Sequence, residues 1–328
     1  MIIDNKMVLV TGGAGFIGSH LVDALIHNNC HVRVLDNLSN GKRQNIIQHK
    51  DNSRFELIVG SVTDPKDIEN AIKDVEIVFH LAALGVRHSI GHPYENHRVN
   101  AEGALFVLQA ALNIGIERFI YCSSSEVYGS ALFAPMSERH PTYPSTVYGA
   151  SKLAGEAYAR SFYLTYGLKT IIARPFNAYG PRSHHEGDAG EMIPRSIMRS
   201  LCGQPIVLFG DGSHRRDFTY VEDTVNGLLA IACNDETIGQ TLNIGSGSES
   251  SIKEIAEIIL AETGSEKTMI QYQKNRPGDV LRLIADSSMM EKITGWKPIV
   301  SFRDGLIKTI EWFKDIPQCL SDERKINW

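Results

Sequence analysis

The sequence predicts an α/β protein: a doubly wound parallel sheet with a smaller C-terminal α/β part. Three observations carry that prediction. Short apolar runs alternate with helix-length amphipathic segments through about residue 175, the pattern of β-α-β units that build parallel sheets. The first run, Met7-Val8-Leu9-Val10-Thr11, passes directly into the glycine-rich turn Gly12-Gly13-Ala14-Gly15-Phe16-Ile17-Gly18. After residue 175 the alternation gives way to a Gly-, Pro-, Asn-, His- and Ser-rich stretch from Pro175 to Gly190 that reads as loop, and irregular segments follow.

Taken in order, the strands fall at 6–10, 31–35, 54–59, 76–81, 117–123 and 168–173, with helices between most of them. The later helical stretches lie near 191–202, 221–233, 251–263 and 302–314, and the tail from about Ile316 is expected to be poorly ordered. No internal repeat and no low-complexity linker interrupts the chain. The expected division is a first unit at 1–177, also receiving 215–245, and a second unit occupying mainly 178–328.

Bulk properties narrow the function. The chain has 328 residues, 43% of them apolar and 22% charged, with a formal net charge of −5. Such mild acidity argues against nucleic acid or an anionic membrane as the main partner. The five cysteines (Cys30, Cys122, Cys202, Cys233, Cys319) show no C-x-x-C spacing. They fit a reducing compartment better than a disulfide framework or a zinc site. No apolar run reaches the ~20 residues of a membrane span, and Met1-Ile2-Ile3-Asp4-Asn5-Lys6 carries no basic segment leading into an apolar one. A soluble, cytoplasmic protein is expected.

The first motif points to a dinucleotide. The strand delivers the glycine turn to the carboxyl edge of the sheet. Glycines let backbone approach a pyrophosphate, and the helix carrying Ile17, Leu21, Ala24 and Leu25 aims its N-terminus at the negative charge. The second strand, His31-Val32-Arg33-Val34-Leu35, ends in Asp36, 18 positions past Gly18, where an acid would hold the adenosine ribose hydroxyls.

A second motif carries acid–base chemistry. Tyr148 and Lys152 stand four residues apart, on one face of a helix. A phenol titrates near ~10 unperturbed, and a lysine one turn away together with a nearby nicotinamide cation favours its ionised form. Tyr148 could then take a proton from a substrate hydroxyl while the same carbon gives up hydride. Upstream, the strand Arg118 to Ser123 ends in Ser124-Ser125-Glu126-Val127-Tyr128-Gly129. Its hydroxyls could bind a reacting oxygen, and Glu126 could act on a C–H bond.

Together with Leu81-Ala82-Ala83, Asn100 and Arg174-Pro175-Phe176-Asn177-Ala178-Tyr179-Gly180-Pro181, these motifs resemble the extended short-chain dehydrogenase/reductases. More narrowly, the chain is similar to the NAD-dependent nucleotide-sugar epimerases and dehydratases, from about Lys6 to about Lys314. The resemblance implies a Rossmann-type fold and a tightly held NAD that oxidises the sugar at C4 and is later reduced back. It implies cofactor contacts at Gly12, Gly15, Phe16, Ile17, Gly18, Asp36, Asn37, Ser61, Val62, Leu81, Ala82, Ala83, Asn100, Tyr148 and Lys152. Asn100 would support the active site, Tyr148 would be the base, Lys152 would hold the nicotinamide ribose, and Ser124 would bind O4. On the nucleotide-sugar side, substrate contacts are expected from Arg87 near a C6 substituent, from Asn177, Arg216 and Arg276 at the diphosphate, and from Asp279 beside Arg276 or the nucleotide ribose. A homodimer through helices near 101–114 and 149–166 is implied as well.

Two departures from the family pattern stand out. The third strand leads to Gly60-Ser61-Val62 rather than Gly-Asp, which weakens an adenine contact. Lys42 and Arg43 follow Asp36, but Leu35-Asp36-Asn37-Leu38 resembles NAD-preferring epimerases, and a carboxylate would repel a 2′-phosphate.

Three fates compete for a 4-keto sugar. Simple 4-epimerases rotate it and return hydride to the other face, and they usually carry Thr or Ser where this chain has Glu126. The 4,6-dehydratases and UDP-glucuronate decarboxylases carry a glutamate there, suited to removing H5. Ser125 stands where many dehydratases have an aspartic acid for the departing hydroxyl, although GDP-mannose-type dehydratases have Ser. A decarboxylase would need a cation for the C6 carboxylate, from Arg87 or His88. Glu126 tilts the reading toward 4,6-dehydration. A catalytically silent NAD-binding regulator is the non-enzymatic alternative, disfavoured by retention of Tyr148, Lys152, Arg216 and Arg276. No metal is expected from His184-His185-Glu186 with Asp188, consecutive residues that rarely converge. His80 reads as a satisfied core histidine, and Trp296 and Pro298 as packing.

Overall fold

The protein is described from a computed structural model covering residues 3–264, 269–275 and 280–316. Seven parallel strands form the main sheet: β1 Met7–Thr11, β2 His31–Asp36, β3 Phe55–Val59, β4 Ile77–His80, β5 Arg118–Cys122, β6 Thr170–Pro175 and β10 Thr241–Ile244. Their spatial order is β10-β6-β5-β4-β1-β2-β3. The order reverses at β1, where Val8 sits between Val32 of β2 and Ile77 of β4. Open parallel sheets bind ligands beyond the strand ends at such a switch point.

Parallel strands are buried on both faces, and helices supply the cover. On one face, Leu21, Val22 and Leu25 of α1 (Phe16–His27) meet Val225, Leu228 and Ile231 of α8 (Val221–Cys233). On the other, α2 (Pro65–Ala71), α5 (Gly103–Ile114) and α6 (Val147–Tyr166) bury Ile68, Val107, Leu108, Ala159 and Phe162. Each such side chain contributes about 1.5–3 kcal/mol on leaving water. Short helices α3 (Val86–Gly91) and α4 (Pro93–His97) fill the turn after β4.

The second part has its own core. Strands β7 (Asn177–Tyr179), β9 (Arg215–Tyr220), β11 (Glu249–Ser251) and β13 (Arg282–Leu283) form a small sheet, while β8 (Ile206–Phe209) pairs with β12 (Ile270–Gln273). Against them α7 (Met192–Leu201), α9 (Ile252–Thr263) and α11 (Phe302–Lys314) bury Ile193, Ile197, Ile255, Ile259, Ile310 and Phe313. Helix α10 (Ser288–Thr294) returns to the first part, where Met290 joins the core under β10. The chain crosses back earlier as well: α8 and β10 lie with the large sheet although β9 lies with the small one.

One correction concerns the stretch after residue 175. It is not all loop, because Asn177–Tyr179 pairs in parallel with Phe218–Tyr220 and launches the second part. The polar composition hid a strand only three residues long. The positions of Cys319 and the rest of the tail lie outside the described residues.

Candidate active site

The glycine turn is built as its sequence demands. Gly12 has φ +71°, and a Cβ there would stand 2.8 Å from the Ala82 backbone. A Cβ on Gly18 would collide with the Gly12 carbonyl. At Gly15 an added Cβ would meet only the Gly12 carbonyl, at 3.1 Å. Backbone thus stays open at the start of α1, where an anion is favoured. Asp36 braces this turn: its Oδ2 accepts from the Ala14 amide at 2.9 Å and its Oδ1 from the Leu38 amide at 2.8 Å.

At the other end of the cleft, α6 is fixed by its own cap. The Thr146 hydroxyl accepts from the Gly149 amide at 3.1 Å, which starts the helix so that Tyr148 lies in its first turn. Gly155 lets α6 approach the sheet, since a Cβ there would strike the Tyr121 hydroxyl. That hydroxyl donates to the Lys152 carbonyl at 3.2 Å, and the Lys152 ammonium lies 4.9 Å from the Tyr121 ring. Behind them, Arg174 of β6 forks onto Glu156 of α6, Nε to Oε1 at 2.8 Å and Nη2 to Oε2 at 2.5 Å, while Ser123 Oγ donates to Oε1 at 2.5 Å. Both ion-pair partners are buried, so strands β5 and β6 and helix α6 are locked in register by a satisfied pair.

The two ends open into one cavity of about 550 Å³. Gly12, Gly15, Gly18, Asp36, Asn37, Ser61, Val62, Leu81, Ala82 and Ala83 line one end. Ser124, Ser125, Glu126, Tyr148, Lys152, Arg87 and Glu191 line the middle, and Asn177 and Arg216 the far side. Tyr148 is hydrogen-bonded to Ser124. Burial is the main cause that pushes its phenol well above the ordinary value, with Cys122, Glu126 and Glu191 acting in the same direction and the Ser124 hydrogen bond opposing. Burial also lowers the Lys152 ammonium. Desolvation therefore outweighs the Ser124 hydrogen bond at this phenol, and the phenolate expected from the sequence calls on a nicotinamide cation as well as on Lys152.

The cavity fits a dinucleotide and a second polar ligand. A Cβ-free cradle meets a helix N-terminus at one end. On the far side, the Asn177 Oδ1 is buried with no hydrogen-bond partner, an acceptor that a ligand donor would satisfy.

Comparison with known proteins decides the family. The model for GDP-mannose 4,6 dehydratase matches residues 9–309. A UDP-glucose 4-epimerase of Mycolicibacterium smegmatis is 34% identical over 94% of this chain and 99% of its own length. Among solved structures, an epimerase from Methanothermobacter thermautotrophicus superposes with a TM-score of 0.91 at 36% identity, covering 95% of this chain and 93% of that one. The dTDP-glucose 4,6-dehydratase DesIV of Streptomyces venezuelae, solved with NAD bound, gives 0.90 at 32% identity, covering 95% and 98%. The chain belongs to the NAD-dependent nucleotide-sugar epimerases and dehydratases of the extended short-chain dehydrogenase/reductase family.

Within that family fold, most of the positions anticipated from sequence line the one cavity, with one correction. Asn100 does not line the cavity. It is buried behind the wall, where its Oδ1 accepts from the Leu84 amide at 2.8 Å and its Nδ2 donates to the Leu84 carbonyl at 2.9 Å and to Ser151 Oγ at 3.2 Å. It holds the loop after β4 against α6 and is not placed to touch a cofactor. Lys42 is engaged by Glu186 at 3.0 Å, which strengthens the case against a 2′-phosphate. Arg276 and Asp279 lie outside the described residues.

His80 is buried, with Nδ1 2.9 Å from Thr11 Oγ1, and burial lowers its pKa to about 3. The imidazole is a neutral core group. Trp296 is buried and donates Nε1 to the Asp223 carbonyl at 3.1 Å. His185 faces Glu186 at 3.3 Å and packs edge-on against Phe313, and among the described residues no cluster of metal-ligating side chains forms. Among them, too, no helix is long and apolar enough to cross a membrane.

Sequence reasoning missed Glu191. It occupies the N-cap of α7 without capping it, and lines the cavity near Tyr148 and Arg87. The available signal was its place: a glutamate directly before Met192-Ile193-Pro194, where a short capping residue is preferred.

Proposed function

We propose that the chain is an NAD-dependent nucleotide-diphosphate-sugar 4,6-dehydratase of the cytoplasm. The observation that carries this reading is Glu126, a carboxyl on the cavity wall next to the Ser124–Tyr148 pair. NAD would lie along Gly12, Gly15, Phe16, Ile17 and Gly18, with Asp36 and Asn37 at the adenosine ribose, Ser61 and Val62 near adenine, and Leu81, Ala82, Ala83 and Lys152 toward the nicotinamide. A bound nicotinamide supplies the two-electron chemistry, accepting hydride from C4 and returning it, and its positive charge favours the Tyr148 phenolate.

The side chains then have separate tasks. Ser124 orients O4, and Tyr148 accepts the O4 proton. Glu126 removes the proton from C5, acidified by the neighbouring ketone. Asn177, Arg216 and Arg276 hold the nucleotide diphosphate, as guanidinium forks suit phosphate oxygens, with Asp279 beside Arg276 or the nucleotide ribose. Exposed Leu164 and Tyr166 on α6 and Ile114 on α5 support a homodimer through those helices.

Two competing readings have support of their own. Similarity to 4-epimerases and a hydroxyl at Ser125 favour simple 4-epimerisation of a UDP-sugar. A UDP-glucuronate decarboxylase would use Arg87, on the cavity wall, for the carboxylate. Glu126→Gln separates these. Dehydration should fall ~10²–10⁴-fold while C4 oxidation persists, read as reduced cofactor absorbance on adding nucleotide sugar. Product formation at the parental rate would remove Glu126 from the chemistry.

A further inference from the structure

The dehydration step has a base in Glu126 but lacks an acid at Ser125, and the cavity offers another. We propose that Glu191 is the catalytic acid that protonates the C6 hydroxyl as it leaves. This rests on the dehydratase reading and names the second half of its elimination step.

Geometry places Glu191 for the task. The loop from β7 to α7 sets it on the cavity wall, where its amide donates to the His184 carbonyl at 2.7 Å and fixes the turn. Its side chain makes no capping bond to α7, so helix formation does not use the carboxyl. Instead Glu191 lines the same cavity as Ser125, Glu126 and Tyr148. Glu126 and Glu191 act together on the Tyr148 phenol, so two carboxyls bear on the one group that receives the sugar alcohol proton. The segment carrying Glu191 packs against α3, and Arg87 of α3 is the charge that bears on it.

Protonation suits the role. Arg87 draws the carboxyl toward ionisation, but burial is larger and pushes it up to about 8. At neutral pH it carries a proton. A glutamate on the surface, ionised above ~4.3, could not donate one.

The elimination then balances within the protein. Glu126 takes the C5 proton, the C5–H pair forms the C5=C6 bond, and the C6–O6 bond breaks with its electrons on oxygen. The Glu191 proton completes a water molecule. The hydride withdrawn from C4 is the one delivered to C6, and Glu126, its proton exchanged with solvent, returns a proton to C5. The proton that Tyr148 took from O4 makes good the one lost by Glu191, so no outside oxidant or reductant enters.

The test uses the full chain with UDP-, GDP-, CDP- and dTDP-glucose in heavy water, and then the 6-deoxy-6-fluoro counterpart of whichever sugar is dehydrated. Fluoride leaves without a proton. Glu191→Gln should slow loss of water ~10²–10⁴-fold, still exchange deuterium into C5, and eliminate fluoride at close to the parental rate. Equal slowing on both sugars, or unchanged loss of water, would overturn the acid role while leaving the dehydratase reading intact. A parent enzyme that only epimerises would overturn both. If Glu191→Gln does not fold, Glu191→Asp carries the same comparison: slow on the hydroxyl sugar and restored on the fluoro sugar.

Discussion

The two ends of the cleft are made of different material. At the glycine turn the contact surface is backbone, shaped by what is missing: Gly12 and Gly18 leave no room for a Cβ, and Asp36 is occupied with main-chain amides. At the sugar end the surface is side chain, and its chemistry depends on burial. Tyr148, Lys152 and Glu191 all depart from their ordinary protonation equilibria chiefly through desolvation. A backbone site fails when an atom is added, and a side-chain site when one is taken away.

That contrast can be broken first at Tyr148. Tyr148→Phe removes one oxygen, and turnover should fall ~10²–10⁴-fold with NAD still bound to the purified protein. Loss of NAD at unchanged turnover per bound cofactor would mean that the phenol is a cofactor anchor. The buried pair behind the site comes next. Arg174→Leu leaves Glu156 buried without its cation, which should cost about 3–5 kcal/mol in denaturant unfolding. A loss below 1 kcal/mol would show that Glu156 finds solvent or another partner.

At the backbone end, Gly12→Ala adds a methyl where φ is +71° and the Ala82 backbone is 2.8 Å away. Strain of about 1–3 kcal/mol should appear in thermal melts together with loss of co-purifying NAD. Retention of cofactor would mean that the turn rearranges freely. The remaining test is a pH dependence. Burial holds the Glu191 carboxyl at about 8 against an ordinary value of 4.5, so the folded chain binds this proton more tightly than the unfolded one. The resulting stability is fully present below the unfolded value and is lost as pH rises through about 8. Relative to its parent, Glu191→Gln should gain melting temperature above that pH and gain none near pH 5. Parallel curves would place an ionised carboxylate there.

How legible each part was follows the same division. The strand, turn and helix of residues 7–27 announced themselves, because close backbone approach requires glycine and leaves a spelled pattern. Tyr148 and Lys152 were legible because helical periodicity alone puts them on one face. Strand β10 joining the large sheet was only partly readable, since a pairing such as Thr241 with Ile172 is decided by packing across a long separation. Asn100 was misplaced by one layer, as motif position does not reveal which side of a wall an amide faces. Glu191 left almost no trace: its role comes from a loop folded over a cavity, and burial has no local spelling.

The central claim is that a carboxyl beside Tyr148 draws a proton from C5 of a nucleotide sugar. Incubation of the parent enzyme with the nucleotide-glucose panel in heavy water tests it most directly, read by mass and proton NMR. The account predicts loss of water, a 6-methyl product and deuterium at C5. A stereoisomer of unchanged mass with no deuterium would contradict it.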